Sequence, residues 1–202
     1  MNDDRRGERH RKAMAKQKAG VDAAIAAADT SRGIVLLLTG NGKGKSSSAF
    51  GMVMRALGYD HKVGVVQFIK GEQLSGEEIY LREACPQVAF HQMGTGFTWD
   101  TQDRTGDIHA ARKTWQQARA MLADPTFDLV VLDELTYMLG FKYLDEQDVL
   151  AAIANRPRAQ SVVVTGRGGG SALRELADTV SEVGNVKHAF KAGIKARKGV
   201  DY

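Results

Sequence analysis

The chain has 202 residues, a formal net charge of +4, 43% hydrophobic and 26% charged side chains, the make-up of one globular domain with a sizeable core. Its one cysteine, Cys85, excludes an intrachain disulfide, and five histidines without a C-x-x-C do not indicate a structural zinc site. The modest charge suits anionic small molecules and does not argue for nucleic acid; with no secretory or membrane-spanning run, a cytoplasmic protein is expected.

Residues 1–32 form a charged arm, MNDDRRGERHRKAMAKQKAG followed by the alanine-rich VDAAIAAAD. It is helical by propensity but has little with which to build a core. Two readings stand: a solvated tail, or a lid that becomes ordered on a ligand or a second subunit. Residues 33–202 then alternate apolar runs with helical patterns. IVLLLT, VGVVQFI, VAFHQM, FDLVVLD, SVVVTG and VSEVGNVKHAF are the predicted strands. SSSAFGMVMRALG, GEEIYLREAC, DRTGDIHAARKTWQQARAMLAD, DEQDVLAAIANR and GSALRELADTV are the predicted helices. Runs that are apolar on both faces belong beneath helices on both sides of a sheet. The alternation predicts a three-layered α/β domain with a mostly parallel sheet.

TGNGKGKSSSAF, Thr39 to Phe50, follows the first strand and opens the first helix of that domain. G-x-x-x-x-G-K-[ST] would place glycine where Thr39 stands, yet the strand, glycine-rich turn and helix are those of a phosphate-binding loop. Gly40, Gly42 and Gly44, with Asn41 between them, let backbone N–H groups turn toward phosphate oxygens, and the helix N-terminus faces the anion. Lys45 supplies a cation, Lys43 adds a second, and Ser46 offers a hydroxyl to Mg²⁺ or Mn²⁺. FDLVVLDEL ends an apolar strand in Asp133 and Glu134, carboxylates at the ligand-binding end of an open α/β sheet. Mg²⁺ takes a few such ligands plus phosphates and water. This is the pattern of a RecA-like P-loop NTPase fold, a fold shared by many functions.

Three further stretches narrow or test that reading. GTGFTWDTQD puts Phe97 and Trp99 on a polar loop, where they either staple the loop to the body or form an apolar wall for a flat ligand. A base-stacking platform is a third use, but no basic cluster is interleaved with them. GRGGG after the fifth strand is read as a turn before a helix, with Arg167 within reach of phosphate as the alternative. The cationic tail KAGIKARKGVDY is read as solvated surface.

RGIVLLLTGNGKGKSS, GFTWDTQD, MLADPTFDLVVLDELTYML, VVVTGRG, ELADTVSE and KHAFKAGIKARKGVDY together resemble the bacterial ATP:corrinoid adenosyltransferases of the P-loop type. The likeness covers about Arg32 to Tyr202, with its motifs in family order. Ser46 stands where the family often has threonine, and keeps the hydroxyl. The resemblance implies transfer of the 5′-deoxyadenosyl group of ATP to the cobalt of a reduced corrinoid, cob(I)yrinic acid a,c-diamide or cob(I)alamin, with triphosphate leaving as a unit. It implies ATP lying in the reverse sense along the loop, with catalytic weight on Lys45, Phe97 and Trp99. It also implies a homodimer, an electron donor such as a flavodoxin, and an ordered C-terminus near the active-site rim. No nucleic acid or membrane partner is expected. A phosphotransferase or ATPase cleaving the terminal phosphate, and an ATP-gated nucleic-acid-binding module of RecA type, are the competing readings.

Overall fold

Five consecutive buried residues make each of the central strands: VLLLT in β1 (Val35–Thr39), VGVVQ in β2 (Val63–Gln67) and LVVLD in β4 (Leu129–Asp133). β5 (Ser161–Thr165) is buried from its second residue, whereas at the edges β3 (Ala89–Gln92) is mostly half-buried and β6 (Thr179–Glu182) is exposed. The computed structural model describes residues 2–69, 74–94 and 103–202. Its strands form one sheet in the order β3-β2-β4-β5-β1-β6, with every pairing parallel.

Alternate residues of the central strands serve two different cores, because side chains point to opposite faces with a period of two. On one face Val35, Leu37, Val130, Leu132, Val162 and Val164 meet α4 (Arg104–Ala123), α5 (Leu135–Gly140), α6 (Glu146–Ala154) and α7 (Gly170–Leu176). On the other, Leu36, Leu38, Leu129, Val131 and Val163 meet α2 (Lys45–Leu57) and α3 (Gly76–Ala84). Ala111, Trp115, Ala118 and Leu122 are the buried stripe of α4, spaced four, three and four residues apart as one helix face requires. The fold class is therefore the expected one, an α/β protein with helices on both faces of a parallel sheet.

Several boundaries differ from the sequence expectation. GSALRELADTV does not stay helical to its end: α7 stops at Leu176, and the Asp178 carboxylate accepts the Val35 N–H at 2.9 Å and pairs with Arg32. That anchor turns the chain into β6, so Thr179 and Val180 are strand residues. VSEVGNVKHAF in turn is strand only as far as Glu182, and a short 3₁₀ turn spans Ala189–Ala192. LTYMLG forms α5, a helix the sequence pattern did not announce.

The residues up to Ser31 form a separate unit. α1 (Asn2–Ala27) is one helix whose described side chains are all exposed, with the ion pairs Glu8–Lys12 at 2.9 Å and Lys18–Asp22 at 2.7 Å along it. Alanine content and pairs four residues apart favour such a helix without any packing.

Candidate active site at the carboxyl edge of the sheet

The four central strands all end in a polar residue at the same edge: Thr39, Gln67, Asp133 and Thr165, each buried. Burial of polar groups is tolerated when they bond one another, and three of these do. Thr165 Oγ1 donates to Asp133 Oδ1 at 2.6 Å, and Gln67 Nε2 donates to Asp133 Oδ2 at 2.9 Å. Asp133 is thereby locked from the strands on its two sides. Thr165 Oγ1 also accepts the Glu134 N–H at 2.9 Å. Glu134 itself adopts the left-handed conformation, φ 60°, which directs the chain from β4 into α5.

Thr39, the residue that departs from the usual loop pattern, donates its hydroxyl to Gly168 O at 2.7 Å, tying the end of β1 to the loop after β5. Thr136 does the same from α5, donating to Arg167 O at 2.9 Å. Gly166, at φ 138°, lies so close to Thr136 that a Cβ there would sit 2.0 Å from Oγ1. These contacts carry Arg167 to the site, so GRGGG is more than a connecting turn.

The phosphate loop runs from Gly40 to Ser46. A Cβ at Gly42 would lie 2.5 Å from Gly184 O, and the Gly42 N–H donates to Val183 O at 2.7 Å, so the loop packs directly on the chain leaving β6. Gly44, at φ 120°, starts α2 without any side-chain cap, which leaves the first-turn N–H groups of that helix available to an anion. Lys45 is buried and donates from Nζ to Gly42 O at 2.9 Å. Burial pushes its ammonium below the ordinary value, while Glu134 opposes the shift.

These groups line a cleft of about 570 Å³ formed by Asn41 to Ser47, Gln67, Asp133, Glu134, Tyr137, Arg167 and the C-terminal residues His188, Ala196, Asp201 and Tyr202. Of the residues assigned from sequence, Asn41, Gly42, Lys43, Gly44, Lys45, Ser46, Asp133 and Glu134 all lie here. Gly40 precedes them at φ 98°. Phe97 and Trp99 lie outside the described residues. Gln67 and Thr165 went unnoticed in the sequence, though a polar residue closing each apolar strand was the available signal. The tail is not merely solvated surface, since Asp201 pairs with Lys43 at 3.1 Å.

Among the described residues no three His, Cys, Asp or Glu side chains are grouped to hold a metal by themselves. The donor set instead suits an ion that takes most of its ligands from phosphate and water, which is the habit of Mg²⁺. Glu134 Oε2 is buried without a hydrogen-bond partner. Burial, reinforced by Asp133, raises the Glu134 carboxyl to about 7. A cation beside it would relieve both conditions. Both Asp133 oxygens are already engaged, whereas Glu134 Oε2 is not, so a cation held here would fit Glu134 as a direct ligand better than Asp133.

Comparison with known proteins gives a consistent answer. A solved structure of the flagellar accessory protein FlaH from Methanocaldococcus jannaschii superposes with a TM-score of 0.50 at 11% identity, covering 75% of this chain and 71% of that one, which speaks to the fold alone. Corrinoid adenosyltransferases are far more similar in sequence. The Pseudomonas aeruginosa protein is 57% identical over 96% of both chains, and the Escherichia coli K12 protein is 51% identical over 96% of this chain and 98% of its own. The Salmonella typhimurium protein is 50% identical over the same shares. The family profile described as ATP:corrinoid adenosyltransferase BtuR/CobO/CobP matches residues 31–202, from the strand before the phosphate loop to the tail on the rim, and the chain belongs to that family.

Proposed function

We propose that this protein adenosylates a reduced corrinoid with ATP in cobalamin biosynthesis or salvage, and that the cleft at the carboxyl edge of the sheet is where it does so. The observation that carries the reading is the joining of a phosphate loop, a buried lysine and an orphaned carboxylate in one cleft, in a chain of this family. Cobalt(I) attacks C5′ of ATP, its electron pair becomes the Co–C bond, and the C5′–O bond breaks with its pair passing to the triphosphate. Such a nucleophile needs no general base. The protein's work is to align C5′ and to stabilise charge growing on the leaving group.

Lys45, Arg167 and the amides of Gly40 to Ser46 are suited to that second task. Lys45 is preorganised, because its Nζ is already held at the loop. Mg²⁺ on Ser46 and Glu134, with Asp133 behind, would neutralise phosphate charge further. Phe97 and Trp99 are proposed as an apolar wall that excludes an axial ligand from Co(II), which makes its reduction by a mild donor such as a flavodoxin easier. A homodimer in which residues 1 to about 25 close as a lid over the corrinoid, in the cytoplasm, completes the proposal. The lid reading is supported by the arm's charge and by α1, which stands without a core of its own.

The test is to incubate the protein with Mg-ATP and chemically reduced corrinoid and to identify the phosphorus product by ³¹P NMR and the Co–C chromophore by its light sensitivity. Inorganic triphosphate with an adenosylated corrinoid is expected. Accumulation of ADP in step with turnover, without a photolabile product, would replace this reading with a phosphotransferase or ATPase.

A further inference from the structure

The two lysines of the phosphate loop are held in opposite ways. Lys45 is buried and bonded to the loop's own backbone. Lys43 is exposed, and its Nζ meets Asp201 Oδ1 at 3.1 Å. The carboxylate of Asp201 does not depend on that lysine for its position. Oδ2 accepts the Arg197 N–H at 2.9 Å, the Asp201 N–H donates to Arg197 O at 2.8 Å, and Gly199 N–H donates to Tyr202 O at 2.8 Å. The C-terminal turn therefore presents a fixed anion to a movable cation. Beside them lies a recess of about 300 Å³ between this turn and the start of α3, which gives Lys43 room to swing. Glu77 also lines that recess, and His188 lies on the cleft side of Asp201.

Resting on the function proposed above, we propose that Asp201 is a positioning residue that acts as a displaceable counter-ion for Lys43 and eases departure of the triphosphate product. A product carrying several negative charges leaves slowly from a loop lined by fixed cations. An exposed ion pair is weak enough to open when polyphosphate arrives, yet worth enough to compete for the lysine when it leaves. During bond cleavage Lys43 serves the leaving group; afterwards Asp201 recovers it. No proton or electron changes hands in this exchange.

The proposal is tested by binding inorganic triphosphate with Mg²⁺ to the full-length protein, using calorimetry, and by comparing single-turnover with steady-state rates. Asp201→Asn should bind triphosphate about five-fold more tightly, as expected for loss of one exposed competing charge. Its steady-state kcat should fall while the single-turnover rate stays at the wild-type level, and Asp201→Glu should restore wild-type affinity. With Lys43→Met already in place, Asp201→Asn should change affinity less than two-fold. A merely structural role for the turn predicts weaker binding in Asp201→Asn, and that result, or an unchanged affinity, overturns the proposal. So does a five-fold gain that persists without Lys43, because the carboxylate would then act by direct repulsion. Failure of the wild-type protein to bind triphosphate at all would overturn this proposal together with the assignment of the cleft.

Discussion

The floor of the cleft and its rim are built on different principles. On the floor, Asp133 is held by Thr165 and Gln67 from neighbouring strands, and Lys45 by the loop backbone, all of them buried. On the rim, Asp201 is held by a turn of the last six residues, exposed except for Tyr202, and touches the loop through Lys43. Groups held from several strands in a low-dielectric setting are costly to move and keep their geometry through a reaction. Groups held locally at the surface can exchange partners at little cost. The floor is thus suited to stabilising a transition state, and the rim to admitting and releasing ligands.

Four perturbations bear on that contrast. Lys45→Ala attacks the floor where it is most specialised. It should lower kcat/KM for ATP by about 10²–10³-fold, the usual effect of losing a preorganised charge at a leaving group, with the thermal midpoint little changed. An effect below ten-fold, measured in the coupled corrinoid assay, would mean that the floor is no more specialised than the rim. Gly166→Ala attacks its scaffolding. The new Cβ would face Thr136 Oγ1 at 2.0 Å with φ at 138°, and a loss of about 3 kcal/mol in urea unfolding is expected.

Glu134→Gln sharpens the comparison through pH. The folded carboxyl keeps its proton up to about pH 7, against an ordinary value of 4.5. Between those limits the folded state binds more protons than the unfolded one, so wild-type stability falls as pH rises. In metal-free buffer the variant should be more stable than wild type by about 2 kcal/mol at pH 8, a figure reduced for the partial exposure of the group. The two should be level at pH 4, and added Mg²⁺ should narrow the gap at pH 8. Gly199→Ala makes on the rim a substitution of the same kind as at Gly166. Its φ is 75°, but nothing lies within 4 Å of the added Cβ, so only the backbone preference is lost. A cost of about 1 kcal/mol is expected; a cost equal to that of Gly166→Ala would erase the distinction between the two regions.

Much of the protein is legible in its sequence, for reasons that are local. The period-two and continuous apolar runs specify buried parallel strands because side-chain direction follows from backbone geometry. The loop Gly40–Ser46 and the pair Asp133–Glu134 carry their chemistry in adjacent residues, and the motifs from Arg32 to Tyr202 announced the family. Other features had no local signature. Nothing in LTYMLG announces α5, which depends on the left-handed turn at Glu134 and on burial of Leu135 and Met138 against the sheet. The end of α7 was misread because Asp178 is claimed by Arg32 and Val35, over 140 residues away in sequence.

Residue by residue, then, the chain by itself determined its central strands, its phosphate loop and its acidic pair, since each of these is written in neighbouring side chains and backbone propensity. Only the tertiary structure decided which polar strand ends meet. It bonded Asp133 to Gln67, 66 residues away, and to Thr165, 32 residues away. It tied Thr39 to Gly168 across 129 residues and brought Asp201 from the far end of the chain to Lys43. Contacts of that kind depend on strand order and on a parallel register, which place distant strand ends at one edge of the sheet. No short window of sequence contains them.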